Sequence, residues 1–252
     1  MTIHFVGAGP GDPELLTIKA DRLIRTARVC IHAGSLISPD ILALLPPSCE
    51  RYDSARLTLE EILERCRDAT ERGLDVVRLH SGDPSLFGAI REQMEGLETL
   101  GIPFTICPGI SAFQACAAAL RTELTAPEHS QTVILSRTKG RTPMPEHQDL
   151  DRLGPLRATL CLYLSAHNIS DVARELTPFY GADTPAAVVE RASWPGQERI
   201  LRGTLATLGS QAEAAGIHRT ALILVGDALR RGHAPSRLYA SDFSHGFREA
   251  RP

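Results

Sequence analysis

Short apolar runs alternate with amphipathic stretches along most of this chain, and that rhythm confines it to an α/β fold with largely parallel strands. In the first half the runs are Ile3–Val6, Val29–His32, Val76–Leu79 and Phe104–Ile106. Helical spacing lies between them. Within Pro13–Ala27, Leu15, Leu16, Leu23, Ile24 and Ala27 share one face; within Thr58–Arg72, Leu59, Ile62, Leu63 and Cys66 do the same. Phe87, Ile90, Met94 and Leu97 form a third stripe, and the Ala-rich Gln114–Leu120 reads as a buried, close-packed helix. The second half offers strands at Thr132–Leu135, Thr159–Leu164, Ala186–Glu190, Glu198–Arg202 and Ala221–Val225. The run Glu198–Leu205 follows Trp194-Pro195-Gly196 and has the form of half a hairpin, so the second sheet is predicted to be mixed. The expected organisation is an α/β domain over 1–124, a second α/β domain over 125–229, and a tail over 230–252 with little periodicity and loose order.

Composition removes several function classes. A net charge of −3 gives no electrostatic footprint for nucleic acid. No stretch approaches the roughly 20 apolar residues that span a bilayer, so no membrane association is expected. Met1 runs almost directly into the first strand, which leaves no room for a signal peptide and implies a cytoplasmic protein. The 6 cysteines are scattered with no CxxC pair, as for reduced structural thiols. Of the 27 basic residues only Lys19 and Lys139 are lysine. Coding bias explains this; a need to grip carboxylates in a bidentate way would produce it too.

Three strand-to-helix junctions carry the chemistry. The first is Gly7-Ala8-Gly9-Pro10-Gly11-Asp12-Pro13, with Asp12 as a natural N-cap and Pro13 as a natural first helical residue. Its glycines let backbone approach a ligand, but the spacing is not that of a dinucleotide fingerprint, and a tight turn that binds nothing would use the same residues. The second is His80-Ser81-Gly82-Asp83-Pro84, which repeats Gly-Asp-Pro; the third is Cys107-Pro108-Gly109-Ile110-Ser111-Ala112. Loops after parallel strands emerge at one edge of the sheet, where open α/β folds bind ligands, so three of them together predict a pocket.

The segments GAGPGDPELLT, SGDPSLFG and PGISA, in this order, resemble the tetrapyrrole methylase family, and the likeness runs to about Leu229. Within the family, Ala33-Gly34-Ser35-Leu36-Ile37, Glu123-Leu124-Thr125-Ala126-Pro127, Gln131–Arg137, Gly140–Glu146 and Ala192-Ser193-Trp194-Pro195 are similar to its cobalamin-pathway C-methyltransferases. The resemblance implies two α/β domains with the active site in the cleft between them, usually as a homodimer. It also implies S-adenosyl-L-methionine as methyl donor and a tetrapyrrole as acceptor. Carried over residue by residue, the cofactor contacts are Pro10, Ser81, Gly82, Asp83, Leu86, Ser111 and Ala112, then Leu164, Ala192, Thr220 and Ala221. Leu164 stands where Met is usual and Ala192 where Gly is usual; both keep the apolar or small character.

Methyl transfer from a sulfonium to carbon needs an in-line approach and positioning above all. In keeping with that, no Ser-His-Asp set, metal-ligand cluster or Walker lysine is evident in the sequence, and no metal is expected. His80 is a candidate base, though a solvated or hydrogen-bonded loop histidine fits as well. Glu123 is a candidate to orient a pyrrole N–H, or else pairs with Arg121 at a helix end. Arg137 and Arg141 are candidates for the acceptor's carboxylates, or surface arginines. A sister activity at another ring carbon, such as C-20 of precorrin-2 or uroporphyrinogen III, and a non-catalytic relative that keeps the cofactor fold are the competing readings.

Overall fold

The computed structural model describes residues 1–140, 142–230, 232 and 236–250. The chain divides into two compact units, Met1–Ala119 with Arg191–Arg199, and Leu120–Glu190 with Ile200–Pro252.

In the first unit, β1 (Ile3–Gly7), β2 (Val29–His32), β3 (Glu50–Asp53), β4 (Val76–His80) and β5 (Phe104–Cys107) form one sheet in the order β3-β2-β4-β1-β5. All its pairings are parallel. Alternate residues feed two separate cores, as the two-residue period of a strand requires. Val6, Cys30, Val77 and Leu79 pack on one face; Ile3, Phe5, Val29, Ile31 and Val76 pack on the other. The helices are α1 (Ile18–Arg25), α2 (Pro39–Leu42), α3 (Leu59–Glu71), α4 (Arg91–Thr99) and α5 (Ala112–Leu120).

Capping sets the helix ends. α3 begins in a capping box, with Thr58 Oγ1 accepting from Glu61 N and Glu61 Oε2 accepting from Thr58 N. The single helix expected over Pro13–Ala27 is two pieces, a 3₁₀ turn at Pro13–Leu15 and then α1. Two caps compete: Asp12 Oδ1 accepts from Glu14 N at 2.9 Å, and Thr17 Oγ1 accepts from Ala20 N at 3.1 Å and restarts the helix. The stripe from Phe87 becomes helical only at Arg91, because Phe87 and Ala89 take φ of 54° and 48°.

In the second unit, β6 (Val133–Arg137), β7 (Thr159–Tyr163), β8 (Pro185–Glu190), β9 (Arg199–Thr204) and β10 (Ala221–Val225) are ordered β6-β7-β10-β8-β9. β6 and β7 are parallel, while β10 runs antiparallel to β7 and β8, so this sheet is mixed. Its core joins Leu160, Leu162, Val188, Ile223 and Val225 to residues of α7 (Ile169–Tyr180) and α8 (Leu205–Ala214), with α6 (Leu150–Leu153) alongside through Leu150. The part of the tail at 236–250 is folded around Arg248, whose guanidinium donates to the carbonyls of Leu238 and Ala240, both at 2.8 Å.

Candidate functional site: three loops fastened at one sheet edge

β4, β1 and β5 are neighbours in the first sheet, so the three sequence motifs leave its carboxyl edge side by side. They are laced together through backbone. Gly9 and Gly82 exchange hydrogen bonds, Gly82 N to Gly9 O at 2.8 Å and Gly9 N to Gly82 O at 3.2 Å, while Ala8 N donates to His80 O at 2.7 Å. A Cβ on Gly109 would stand 2.2 Å from Gly82 O, so only glycine lets these loops approach so closely. Asp83 completes the fastening. Its Oδ2 accepts from Gly109 N at 2.8 Å and its Oδ1 from Ser85 N at 2.8 Å and from Ser85 Oγ. Burial alone would raise the Asp83 pKa, but these hydrogen bonds from Ser85 and Gly109 outweigh it and hold the carboxyl below its ordinary value. Pro10 and Ser111 are buried within this edge, and Ser81, Leu86 and Ala112 are half-buried. The structure therefore brings together Pro10, Ser81, Gly82, Asp83, Leu86, Ser111 and Ala112.

In the second unit the register gathers another set at one edge of the mixed sheet. Arg137 at the end of β6 lies opposite Tyr163 at the end of β7, and Ala221 at the start of β10 lies opposite Glu190 at the end of β8. Leu164 and Thr220, immediately beyond those strands, belong to this edge, with Leu164 exposed.

Backbone strain falls at several of these places. Among the described residues, nine non-glycine residues take φ between 47° and 65°: Phe87, Ala89, Leu164, Arg191, Ser193 and Thr220, and also Arg121, Glu128 and Arg157. Each costs on the order of 1–3 kcal/mol, and such residues concentrate at ligand sites because the surrounding structure must enforce them. Leu164, Arg191 and Thr220 directly flank β7, β8 and β10, and Phe87, Ala89 and Ser193 lie in the segments that follow β4 and β8; Arg121, Glu128 and Arg157 lie outside these segments.

The other candidates have different surroundings. His80 is the last residue of β4 and buried at 4 % exposure, with its ring 6.0 Å from that of Phe5 and Nε2 without a hydrogen-bond partner. Burial, and secondarily the charge of Arg78, push its pKa down to about 3. It is therefore a neutral core imidazole and not the solvated loop residue that its position suggests. Glu123 is exposed and accepts from Thr125 Oγ1 at 3.0 Å. Arg137 turns back on its own loop, donating to the carbonyls of Thr138 at 3.4 Å, Thr142 at 3.3 Å and Pro143 at 2.5 Å. Arg141 lies outside the described residues. Among the described residues, no group of three or more His, Cys, Asp or Glu is arranged to hold a metal ion, and no helix is long and apolar enough to cross a membrane.

Sequence reasoning missed one part of this edge. The segment Arg191–Arg199, which includes Ala192, belongs to the first unit. Trp194 Nε1 donates to Pro10 O at 3.0 Å, and Ser193 Oγ accepts from Asp12 N at 3.1 Å. The signal available in the sequence was a lone tryptophan beside a Pro-Gly turn, which does not say what it packs against.

A parallel sheet whose glycine-rich loops meet at one edge, joined in one chain to a mixed sheet with its own gathered edge, defines the class. This chain belongs to the Tetrapyrrole (Corrin/Porphyrin) Methylases, whose family model matches residues 2–209. It is 50 % identical over 249 residues to the precorrin-4 C(11)-methyltransferase of Pseudomonas aeruginosa, covering 98 % of this chain and 99 % of that one. The X-ray structure of the cobalamin biosynthetic enzyme cobalt precorrin-4 methyltransferase superposes with a TM-score of 0.87 at 41 % identity, over 91 % of this chain and 96 % of that one. Uroporphyrin-III C-methyl transferase from Thermus thermophilus, solved with S-adenosyl homocysteine, gives a TM-score of 0.76 at 28 % identity, over 91 % and 99 %.

Proposed function

We propose that this protein transfers a methyl group from S-adenosyl-L-methionine to C-11 of precorrin-4, or of its cobalt-containing form, giving the corresponding precorrin-5 in cobalamin biosynthesis. The observation that carries the reading is identity of 50 % sustained over essentially the whole of a precorrin-4 C(11)-methyltransferase. Carrying the reading further, the working form is a cytoplasmic homodimer.

The residues present fit the cofactor. Adenosine and an amino-acid tail call for close backbone approach, a few hydrogen-bonding groups and apolar walls. The laced glycines supply the first; Ser81 and the backbone around Ser111 and Ala112 supply the second; Leu86 supplies the third. Pro10 and Ala192 belong to the same unit as these loops, and the family resemblance carries Leu164, Thr220 and Ala221 of the second unit over as further contacts. When bound, the cofactor supplies an electrophilic methyl on a sulfonium. The chain's contribution is position: donor and acceptor held at near-attack distance gain up to about 7–11 kcal/mol from pre-paid entropy. Asp83 serves this by fixing the second and third loops relative to each other. His80, neutral at pH 7, is a poor proton acceptor and instead fills the core beneath the second loop. Arg137 donates to the carbonyls of Thr138, Thr142 and Pro143 and, with Arg141, is assigned by the resemblance to the acceptor's carboxylates.

Calorimetry with S-adenosyl homocysteine tests the cofactor assignment, with one site per chain expected; no heat of binding to folded protein would remove it. Sedimentation across a wide concentration range tests the dimer, and a monomer throughout would end that part of the proposal.

A further inference from the structure

We infer that Trp194 is a positioning residue that sets the shape of the first glycine-rich loop for cofactor binding. The inference rests on the cofactor reading above, and the experiment below separates the two.

Segment Arg191–Arg199 lies against the loop that follows β1, although some 180 residues separate them in sequence. Trp194 is 7 % exposed. A tryptophan N–H can only donate and needs an acceptor when buried; here it donates to Pro10 O at 3.0 Å. The next residue, Gly11, is shaped to receive the ring: a Cβ there would stand 2.0 Å from Trp194 Cδ1 and 2.5 Å from its Nε1. One residue further, Asp12 N donates to Ser193 Oγ at 3.1 Å. Three consecutive loop residues are thus each engaged by Ser193 or Trp194.

The segment is itself braced. Ser193 N donates to Glu198 Oε2 at 2.7 Å, Arg191 donates to Gln197 Oε1 at 3.1 Å, and the Arg191 guanidinium lies 5.6 Å from the Trp194 ring centre. Arg191 and Ser193 both hold left-handed backbone, at φ 47° and 65°. Such backbone persists where the surroundings enforce it, and here the bonds to Glu198 and Gln197 do so. The arrangement acts on the cofactor through Pro10 and does not itself call for contact with the reacting atoms.

Trp194 is the only tryptophan of the chain, so its fluorescence reports on this loop alone. Titration of the wild-type protein with S-adenosyl homocysteine is expected to change the intensity or wavelength of that emission. Trp194→Phe removes the donor to Pro10 and keeps a ring; by calorimetry it is expected to weaken S-adenosyl homocysteine binding at least fivefold. The KM for S-adenosylmethionine should rise in parallel, while the KM for the tetrapyrrole and the melting temperature stay close to wild type. Gly11→Ala attacks the same contact from the other side and should weaken binding similarly with Trp194 in place. Wild-type binding together with unchanged affinity in both folded variants overturns the inference and leaves the cofactor reading standing. Failure of the wild type to bind removes both. A Trp194→Phe protein that does not fold leaves Gly11→Ala and the wild-type emission to decide, and a silent emission on saturating binding counts against it.

Discussion

Gly109 donates its backbone N–H to Asp83 Oδ2 at 2.8 Å, so the loop after β5 is held to the loop after β4 by a carboxylate whose other oxygen is already engaged by Ser85. Asp83, expected from the motif as a cofactor contact, is also a tie between two loops, and the first expectations for the site follow from that.

Asp83→Asn keeps an oxygen for one partner and presents an N–H to the other. Affinity for S-adenosyl homocysteine should fall about tenfold, roughly 1.4 kcal/mol, and calorimetry on the folded variant measures it. Gly82→Val should be worse. The added Cβ meets Ala112 N and Ser111 Cα at an ordinary 3.5 Å, so the damage comes from the φ of +64°, which a β-branched residue resists. That strain is on the order of 1–3 kcal/mol. The close approach that a glycine permits at Gly82 predicts a collision of the added side chain with the ligand as well, on top of this backbone cost. A Gly82→Val protein with normal stability and binding would contradict it.

His80 should make the protein acid-sensitive. Its folded pKa, about 3, lies below the ordinary histidine value of 6.5. Below pH 6.5 the unfolded chain therefore binds a proton that the folded one does not, and stability falls as pH falls toward 3. The slope approaches about 1.4 kcal/mol per pH unit within that window. Denaturant melts at pH 7 and pH 5 should show a loss of order 2 kcal/mol that is absent in His80→Leu. Equal pH dependence in the two proteins would show that another group is responsible.

All 6 cysteines are free and buried, and burial pushes Cys30, Cys66 and Cys161 up to about 12. Thiolate is the reactive form. A chromogenic disulfide reagent should therefore titrate almost none in native protein at pH 8 and all six in denaturant. Rapid native labelling would contradict the packing described for both units.

Arg137→Lys keeps the charge and loses the planar fork that grips three carbonyls. The 138–143 segment should become more susceptible to protease, and the KM for the tetrapyrrole should rise severalfold with cofactor affinity unchanged. A change confined to cofactor affinity would place Arg137 elsewhere in the mechanism.

Much of this was legible in the sequence because it is contiguous there. Each of the three loops is one short motif at the end of an apolar run, and the predicted strands match to within a residue or two. β3 escaped because Glu50-Arg51-Tyr52-Asp53 is a polar edge strand with no apolar alternation. α7 was readable in principle, since Ile169, Val172, Ala173, Leu176 and Tyr180 keep helical spacing, but the neighbouring strands drew the reading. Trp194 on Pro10 and Asp83 on Gly109 were not readable at all: each joins residues far apart in sequence, and nothing local signals the partner. The burial of His80 was hidden for a related reason, since the residues after it form a loop while its ring lies beside Phe5 of the neighbouring strand.

Methyl transfer to C-11 is decided by incubating the protein with methyl-labelled S-adenosylmethionine and precorrin-4, with and without cobalt, and locating the label by NMR. One methyl per tetrapyrrole is expected, on C-11, with one S-adenosyl homocysteine released for each. Label at another ring carbon, or turnover only with precorrin-2 or uroporphyrinogen III, would contradict it.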